Sequence, residues 1–327
     1  MNQCRRRFLL STGVLAVAPL LHAQSLPASP WPSRALRLVT GGAGSVTDIR
    51  ARWLAARMAT VLGQPVVVEN NPAAGGNVGA ELVARSAPDG HTLLFIHQGV
   101  AAINPHLYAR VGYDALSDFA AVARFGIGML VLVVPAASPL RTVQDLIHEA
   151  RRNPKRLNFG TPGNGYPPHL AAVQFNRLAG IESTHIPYKG GGALSAALLS
   201  AEVDFAFEGL TAMLPHIQNN RLRPLAVTGT RRLDTLPNVP TLAESGVTGY
   251  EYIGWTGVAA PAATPPGIVD RLNREINHIA TSEEGRAWFA KIGADAGEQT
   301  PAEFAAFMRG EYSKWGRLIR EANLKAE

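Results

Sequence analysis

Short apolar runs of the β type alternate with helical patterns along most of this chain, and this alternation is its most restrictive feature. Runs at 36–40, 66–69 and 92–96 are separated by helical patterns at 48–62 and 78–85. A strand–helix–strand order favours parallel strands whose sheet is covered by the helices. The sequence therefore predicts an α/β fold with largely parallel sheets, and no flexible linker of Gly, Ser or Pro divides it.

The second half of the chain continues the same order. The runs that predict strands are 130–134, 158–160, 183–186, 204–207, 225–228 and 252–259. The segments that predict helices are 168–178, 193–201, 266–280, 283–292 and 301–322. Two capping-box pairs, Thr142 with Asp145 and Thr241 with Glu244, predict further helix starts.

Residues 1–23 have the pattern of an export signal. Arg5, Arg6 and Arg7 precede an apolar run that is too short to span a bilayer, and Ala23 ends a segment typical of a cleavage site. The arginines followed by Phe-Leu also resemble a twin-arginine signal, so both the general secretory and the twin-arginine route stay open. Export to the periplasm is predicted by either route. Residues 24–33 are proline-rich and predict an extended lead-in.

Charge and cysteine content exclude several classes of protein. The net charge is +6, and the three leader arginines account for half of it. An excess of +3 over the rest of the chain argues against a protein that binds nucleic acid or a membrane surface. The one cysteine, Cys4, lies in the leader. The exported chain therefore has no disulfide and no cysteine-ligated metal, and we predict a monomer without a metal or a cofactor.

A glycine-rich loop at 41–48 joins the first predicted strand to the first helix, and it is the first candidate site. Gly44, Ser45, Val46, Thr47 and Asp48 would place backbone N–H groups and the helix dipole toward an anion.

Two other interpretations of this loop stay open. It could simply be a turn in which a hydroxyl caps the helix. It also partly imitates a dinucleotide fingerprint, with Glu69 at the end of the next strand, although Thr47 stands where the third glycine belongs. Within the helix, the spacing of Ile49, Trp53, Ala56 and Thr60 predicts the apolar face.

A second strand-to-helix turn runs through 159–169. Thr161, Asn164, Gly165 and Tyr166 lie in this turn and would again present donors at a helix start. His169 follows one position inside the helix, where a histidine either packs or caps, or contacts a ligand.

A third turn, at 185–192, contains Tyr188 before its glycines. It lacks the Gly-Lys-Ser/Thr ending of a phosphate loop, which argues against nucleotide hydrolysis. Glu208 ends a predicted strand, and either a ligand contact or an ordinary edge carboxylate would explain it.

No set of residues in the sequence supports catalysis. There is no Gly-x-Ser-x-Gly motif, and the nine histidines lack metal-type spacing. Amide-rich turns without an acid/base pair are typical of a binding pocket rather than an active site. We therefore predict a binding protein and no enzyme. The rival hypothesis is an exported oxidoreductase that binds a dinucleotide at the first glycine loop.

Nine motifs, in order along nearly the whole chain after the leader, resemble the Bug family of periplasmic receptors for tripartite tricarboxylate transporters. They lie at 47–49, 63–70, 74–80, 87–94, 103–105, 164–171, 185–190, 225–229 and 237–244.

The resemblance implies a two-lobed periplasmic-binding-protein fold of the type II kind, with the ligand cleft between the lobes and two crossing strands. Carried to this chain, lobe 1 comprises 34–132 plus 251–327, and lobe 2 comprises 133–250. It also implies that a small organic anion is held by loops 44–47 and 161–166 and delivered to the membrane components of a transporter. A sensor that signals without a transporter is a further alternative.

Departures from the family pattern affect the expected ligand. Gln98 and Tyr166 stand where small hydroxyl residues are common, and Glu208 stands where aspartate is common. These substitutions favour a carboxylated solute with an aromatic or amide portion, or a cationic group facing Glu208, over plain citrate.

Overall fold

The computed structural model describes residues 31–164 and 166–321. The strands are β1 Leu36–Thr40, β2 Val66–Asn70, β3 Thr92–His97, β4 Phe119–Pro135, β5 Asn158–Thr161, β6 Thr184–Pro187, β7 Phe205–Gly209, β8 Leu222–Val227, β9 Ile253–Pro261 and β10 Ala294–Ala296. The α-helices are α1 Val46–Leu62, α2 Asn77–Ala84, α3 Asn104–Leu107, α4 Val143–Arg152, α5 Pro167–Ala179, α6 Gly191–Leu199, α7 Leu210–Gln218, α8 Pro266–Thr281, α9 Glu283–Lys291 and α10 Pro301–Glu321.

The strands form two groups that share β4. In the first group the order is β2-β1-β3-β9-β4, with β1 parallel to β2 and β3, and β9 antiparallel to both of its neighbours. In the second group the order is β4-β7-β5-β6, with β5 parallel to β6 and β7. The α/β prediction is confirmed, and the strands nearest the centre add antiparallel pairs to the parallel ones.

The long strand β4 joins the two groups. It pairs with β9 as far as Met129, and from Leu130 onward it pairs with β7 and β8. The sequence predicted only 130–134 as strand, because Ala and Gly interrupt the apolar pattern before Leu130. The change of strand partner falls between Met129 and Leu130, where the predicted run begins.

Alternation along β4 supplies both faces of the second group with apolar side chains. Leu130, Leu132 and Val134 pack into one core, whereas Val131 and Val133 pack into another. Side chains of successive strand residues point to opposite faces, so helices cover this part of the sheet on both sides.

The C-terminal helix α10 contacts the apolar cores of both strand groups. Phe304 and Met308 pack with the first strand group, and Trp315 and Ile319 pack with the second. The helix therefore ties the two groups together beside the shared strand.

The face that α1 buries differs from the prediction. Ala51, Leu54 and Met58 are buried, whereas Ala56 and Thr60 are exposed. The prediction counted Ala56 and Thr60 as part of the apolar face and left out Leu54 and Met58, so it selected the wrong face. The correct face includes Arg50.

The two capping motifs have different outcomes. Thr142 and Asp145 form a complete capping box at the start of α4, as predicted. Thr241 and Glu244 exchange the same hydrogen bonds, yet the segment that follows is a turn and not a helix. The prediction of a helix there was wrong, because Gly246 follows with a positive φ of 92° and ends the turn.

Among the described helices, none combines the length and the apolarity that a bilayer crossing requires.

Candidate functional site

A cavity of about 50 Å³ lies where both strand groups meet β4, and it brings together the starts of α1 and α5. Its lining is Ser45, Val46, Thr47, Arg50, His97, Gly128, Met129, Leu130, Pro162, Tyr166, Pro167, Pro168, Glu208, Gly209, Gly254, Trp255 and Thr256. A larger space of about 420 Å³ lies beside β10. That space contains none of the candidate residues, so the smaller cavity is the candidate site.

The first glycine loop supplies one wall of the cavity. Ser45 caps α1 by accepting a hydrogen bond from the N–H of Asp48. Asp48 does not line the cavity. Its carboxylate accepts hydrogen bonds from the Gly44 N–H at 2.9 Å and from the Asn70 side chain at 2.7 Å, so it holds the loop in shape. Helix geometry leaves the N–H groups of Val46 and Thr47 without partners inside the helix.

Tyr166 supplies the opposite wall at the start of α5. Its ring stacks on His97 with centroids 5.4 Å apart, and burial raises the pKa of its hydroxyl to about 12. The next two residues, Pro167 and Pro168, have no N–H groups. Pro167 and Pro168 therefore offer no amide donors at this helix start, unlike the first residues of α1, and Gly165 of the same turn lies outside the described residues.

Glu208 lies at the end of β7 and is buried in the cavity wall. Its Oε1 accepts a hydrogen bond from the Gly209 N–H at 2.8 Å, and its Oε2 has no partner in the described part of the chain. Burial raises the pKa of this carboxyl to about 7, which the Gly209 hydrogen bond offsets only in part. At neutral pH the side chain can therefore either accept or donate a hydrogen bond.

Arg50 is one of the cavity residues that the sequence interpretation missed. It donates from Nη1 to Thr256 Oγ1 at 3.3 Å, and its Nε has no partner among the described residues. A β-carbon at Gly128 would lie 2.8 Å from Nη2, so a glycine there leaves room for the guanidinium. Burial lowers the pKa of Arg50 to about 10, which keeps it charged at neutral pH.

A sequence signal for Arg50 did exist. Counting from Thr47, positions 50, 51, 54 and 58 share one face of an α-helix, and Leu54 and Met58 are the large apolar residues of that face. Arginine is rarely buried among apolar residues unless its charge has a partner.

His97 is buried at the end of β3 as a neutral donor. Its Nδ1 accepts a hydrogen bond from the Gly99 N–H at 3.1 Å, which places the ring hydrogen on Nε2. Burial lowers the pKa of His97 to about 4, so the ring stays neutral at physiological pH. Its Nε2 has no partner within the described ranges.

Several predicted site residues lie near the cavity and do not line it. Gln98 bridges Tyr252 and Glu311. The backbone oxygen of Asn164 accepts from the Tyr108 hydroxyl at 2.9 Å. The partners Tyr252, Glu311 and Tyr108 do not line the cavity either.

The other predicted residues support the turns. Thr161 hydrogen-bonds to His185 at 2.6 Å, and His169 stacks on His185 at 4.1 Å. The hydroxyl of Tyr188 donates to Glu202 at 2.8 Å. Thr161, His169 and Tyr188 therefore hold the second and third turns in place.

The first and third turns contact each other directly through glycine backbone. The Gly192 N–H donates to the Ala43 carbonyl at 3.2 Å. A β-carbon on Gly42 would lie 2.7 Å from the Gly190 α-carbon. The two strand groups thus approach more closely here than side chains would allow.

Glu69, the residue that a dinucleotide fingerprint would place on a ribose, has another partner. Arg37 binds its carboxylate through both Nε and Nη2. The arrangement gives no support to the dinucleotide interpretation.

Comparison with known proteins agrees with this geometry. The sequence model of the tripartite tricarboxylate transporter family receptor matches residues 50–324. The chain belongs to this receptor family. Its members are periplasmic substrate-binding receptors and not enzymes.

Two curated relatives and one solved structure show how far the likeness extends. A UPF0065 protein in the tcbD-tcbE intergenic region of Pseudomonas sp. strain P51 is 35% identical, over 99% of this chain and 96% of the relative. BugT of Bordetella pertussis is 33% identical over 99% of each. The structure of R. palustris Rpa4515 with adipate has a TM-score of 0.88 and 34% identity, covering 90% of this chain and 99% of that one. The resemblance to the Bug receptors is confirmed.

Proposed function

We propose that this receptor captures a small carboxylated solute and delivers it to the membrane components of a tripartite tricarboxylate transporter. The observation that carries the proposal is the start of α1, where Val46 and Thr47 line the cavity with backbone N–H groups that have no partner inside the helix, at the positive end of the helix dipole. The relative solved with adipate supports a carboxylate as the ligand class. We propose no nucleic-acid partner and a monomeric protein.

Capture by hinge closure follows from the strand arrangement. We propose that 34–132 plus 251–327 and 133–250 act as two lobes that move about the partner change at Met129 and Leu130. The contact between the first and third turns would form as the lobes close. A ligand that contacts both lobes favours the closed state by its differential affinity.

Export is proposed from the leader. The full chain expressed in a Gram-negative host is expected in the periplasmic fraction, shortened near Ala23, and a chain without residues 1–23 is expected to stay in the cytoplasm. Replacing Arg5 and Arg6 together by lysine distinguishes the two routes, since only twin-arginine export would fail. Cytoplasmic retention of the full chain would contradict the proposal.

Ligand binding is tested by thermal denaturation with a panel of aliphatic carboxylates, aromatic carboxylates, their amides, amino acids and dinucleotides. A ligand at about a hundred times its dissociation constant adds about 2.7 kcal/mol to the folded state. The melting temperature is then expected to rise by about 5–10 °C, since each kcal/mol shifts it by about 2–4 °C at this size. Stabilisation by dinucleotides alone would instead support the oxidoreductase alternative.

A further inference from the structure

Four side chains of the candidate site bury a polar atom that lacks a hydrogen-bond partner within residues 31–164 and 166–321. These atoms are Arg50 Nε, His97 Nε2, Glu208 Oε2 and the hydroxyl oxygen of Tyr166, and their residues are between 2% and 4% exposed. Native proteins leave few buried polar groups unpaired, because each loses its hydrogen bonds to water. Four such atoms around one cavity indicate a polar partner that the chain does not supply.

The chemistry of these atoms defines that partner. Arg50 and His97 offer donors, and the guanidinium also carries a positive charge. Ionised Glu208 offers only acceptors, whereas the Tyr166 hydroxyl can donate or accept. A single molecule that satisfies all four must therefore combine an anionic acceptor with a donor.

We propose that Arg50 binds a ligand carboxylate directly, and that Glu208 accepts a hydrogen bond from an N–H or O–H group of the same molecule. This rests on the proposed capture of a carboxylated solute and narrows it to a monocarboxylate that carries a donor, such as an acid amide. Guanidinium–carboxylate hydrogen bonds are among the strongest in proteins, and Thr256 and Gly128 already orient Arg50 for one.

A dicarboxylate with the same carbon chain as the acid amide fits these residues less well. Its second carboxylate would face Glu208, and two carboxylates in one buried site repel unless one of them takes up a proton. A diamide lacks the anion and leaves the charge of Arg50 buried and unpaired, which is strongly unfavourable. The site is therefore expected to prefer the monoamide over both the dicarboxylate and the diamide.

The test is titration calorimetry at pH 8 with succinate, adipate, their monoamides and their diamides. For succinate or for adipate, the wild-type protein is expected to bind the monoamide at least tenfold more tightly than the corresponding dicarboxylate and diamide. Arg50→Met is expected to weaken monoamide binding at least tenfold and to remove the preference over the diamide. Arg50→Lys keeps the charge and loses the planar guanidinium, so its affinity for the monoamide is expected to lie between those of the wild type and Arg50→Met.

Arg85→Met is the matched control, because it makes the same charge change at an exposed position and should bind as wild type does. Melting curves without ligand show whether the Arg50 variants are folded. A wild-type preference for the dicarboxylate, or an unchanged preference in Arg50→Met, would overturn the inference while the carboxylate receptor stands. Failure of wild type to bind any of the six compounds would also overturn the inference, and the carboxylate receptor would be rejected as well if no carboxylate of the thermal-denaturation panel stabilised the protein.

Discussion

Gly42→Ala is expected to weaken ligand binding on the order of a hundredfold. The added β-carbon would lie 2.7 Å from the Gly190 α-carbon, and both clashing atoms belong to short loops held by backbone hydrogen bonds. Overpacking of this kind costs about 1–3 kcal/mol, and backbone contacts relieve it poorly, so the upper end applies. Calorimetry with the carboxylate that most stabilises the wild type measures the loss, and solution scattering is expected to show a more open molecule.

Gly267→Ala is the control for Gly42→Ala. Nothing lies within 4 Å of the added carbon at that position on α8, so binding should equal that of the wild type. The clash arises only where the turns meet, and we therefore expect the melting temperature of ligand-free Gly42→Ala to stay close to the wild-type value. Unchanged affinity in Gly42→Ala would show that the two turns need not touch for a ligand to be held.

Glu208→Gln is expected to stabilise the ligand-free protein at pH 8 and to have little effect at pH 5. Burial raises the pKa of Glu208 from 4.5 to about 7, so the folded chain holds this proton more tightly than the unfolded chain. Its stabilising contribution is full below pH 4.5 and is lost as the pH rises through 7. Glutamine removes the penalty for a buried charge, on the order of 3 kcal/mol at pH 8.

Melting curves across this pH range measure the effect, expected as a gain of about 5–10 °C at pH 8. The pKa of His97 is about 4 and that of Arg50 about 10, so neither cavity group titrates between pH 5 and 8. Glu182→Gln, at an exposed position, controls for the change in net charge and should shift the curve little. An equal gain at pH 5 and pH 8 would contradict the assignment to a titrating carboxyl.

Much of the fold could be predicted because its local signals agree. The run at 36–40 and the capping box at Thr142 appear in the structure as expected, since apolar runs and caps act over a few residues. The length of β4 was not predictable in the same way. Its Ala- and Gly-rich half is held as strand by pairing with β9, which is distant in sequence.

The candidate site was predicted only in part, for a related reason. Ser45, Thr47, Tyr166 and Glu208 stand at strand and helix ends, where the sequence directs attention. Arg50 lies inside a helix, and its role depends on which face is buried against the strands around Gly128. That choice is made by tertiary packing, which a helical repeat of alanines does not specify.

The glycine contact between the first and third turns separates holding the two turns together from recognising the ligand, although one surface could have served both purposes. Since Gly42, Gly190 and Gly192 bring no side chains to the contact, the closure proposed above would not depend on the identity of the bound molecule. Discrimination then resides wholly in the cavity wall. Substitutions of residues such as Arg50 or Glu208 could therefore change which solute is bound without changing the glycine contact. This offers one route by which related receptors acquire different ligands while keeping the same fold and the same contact between the turns.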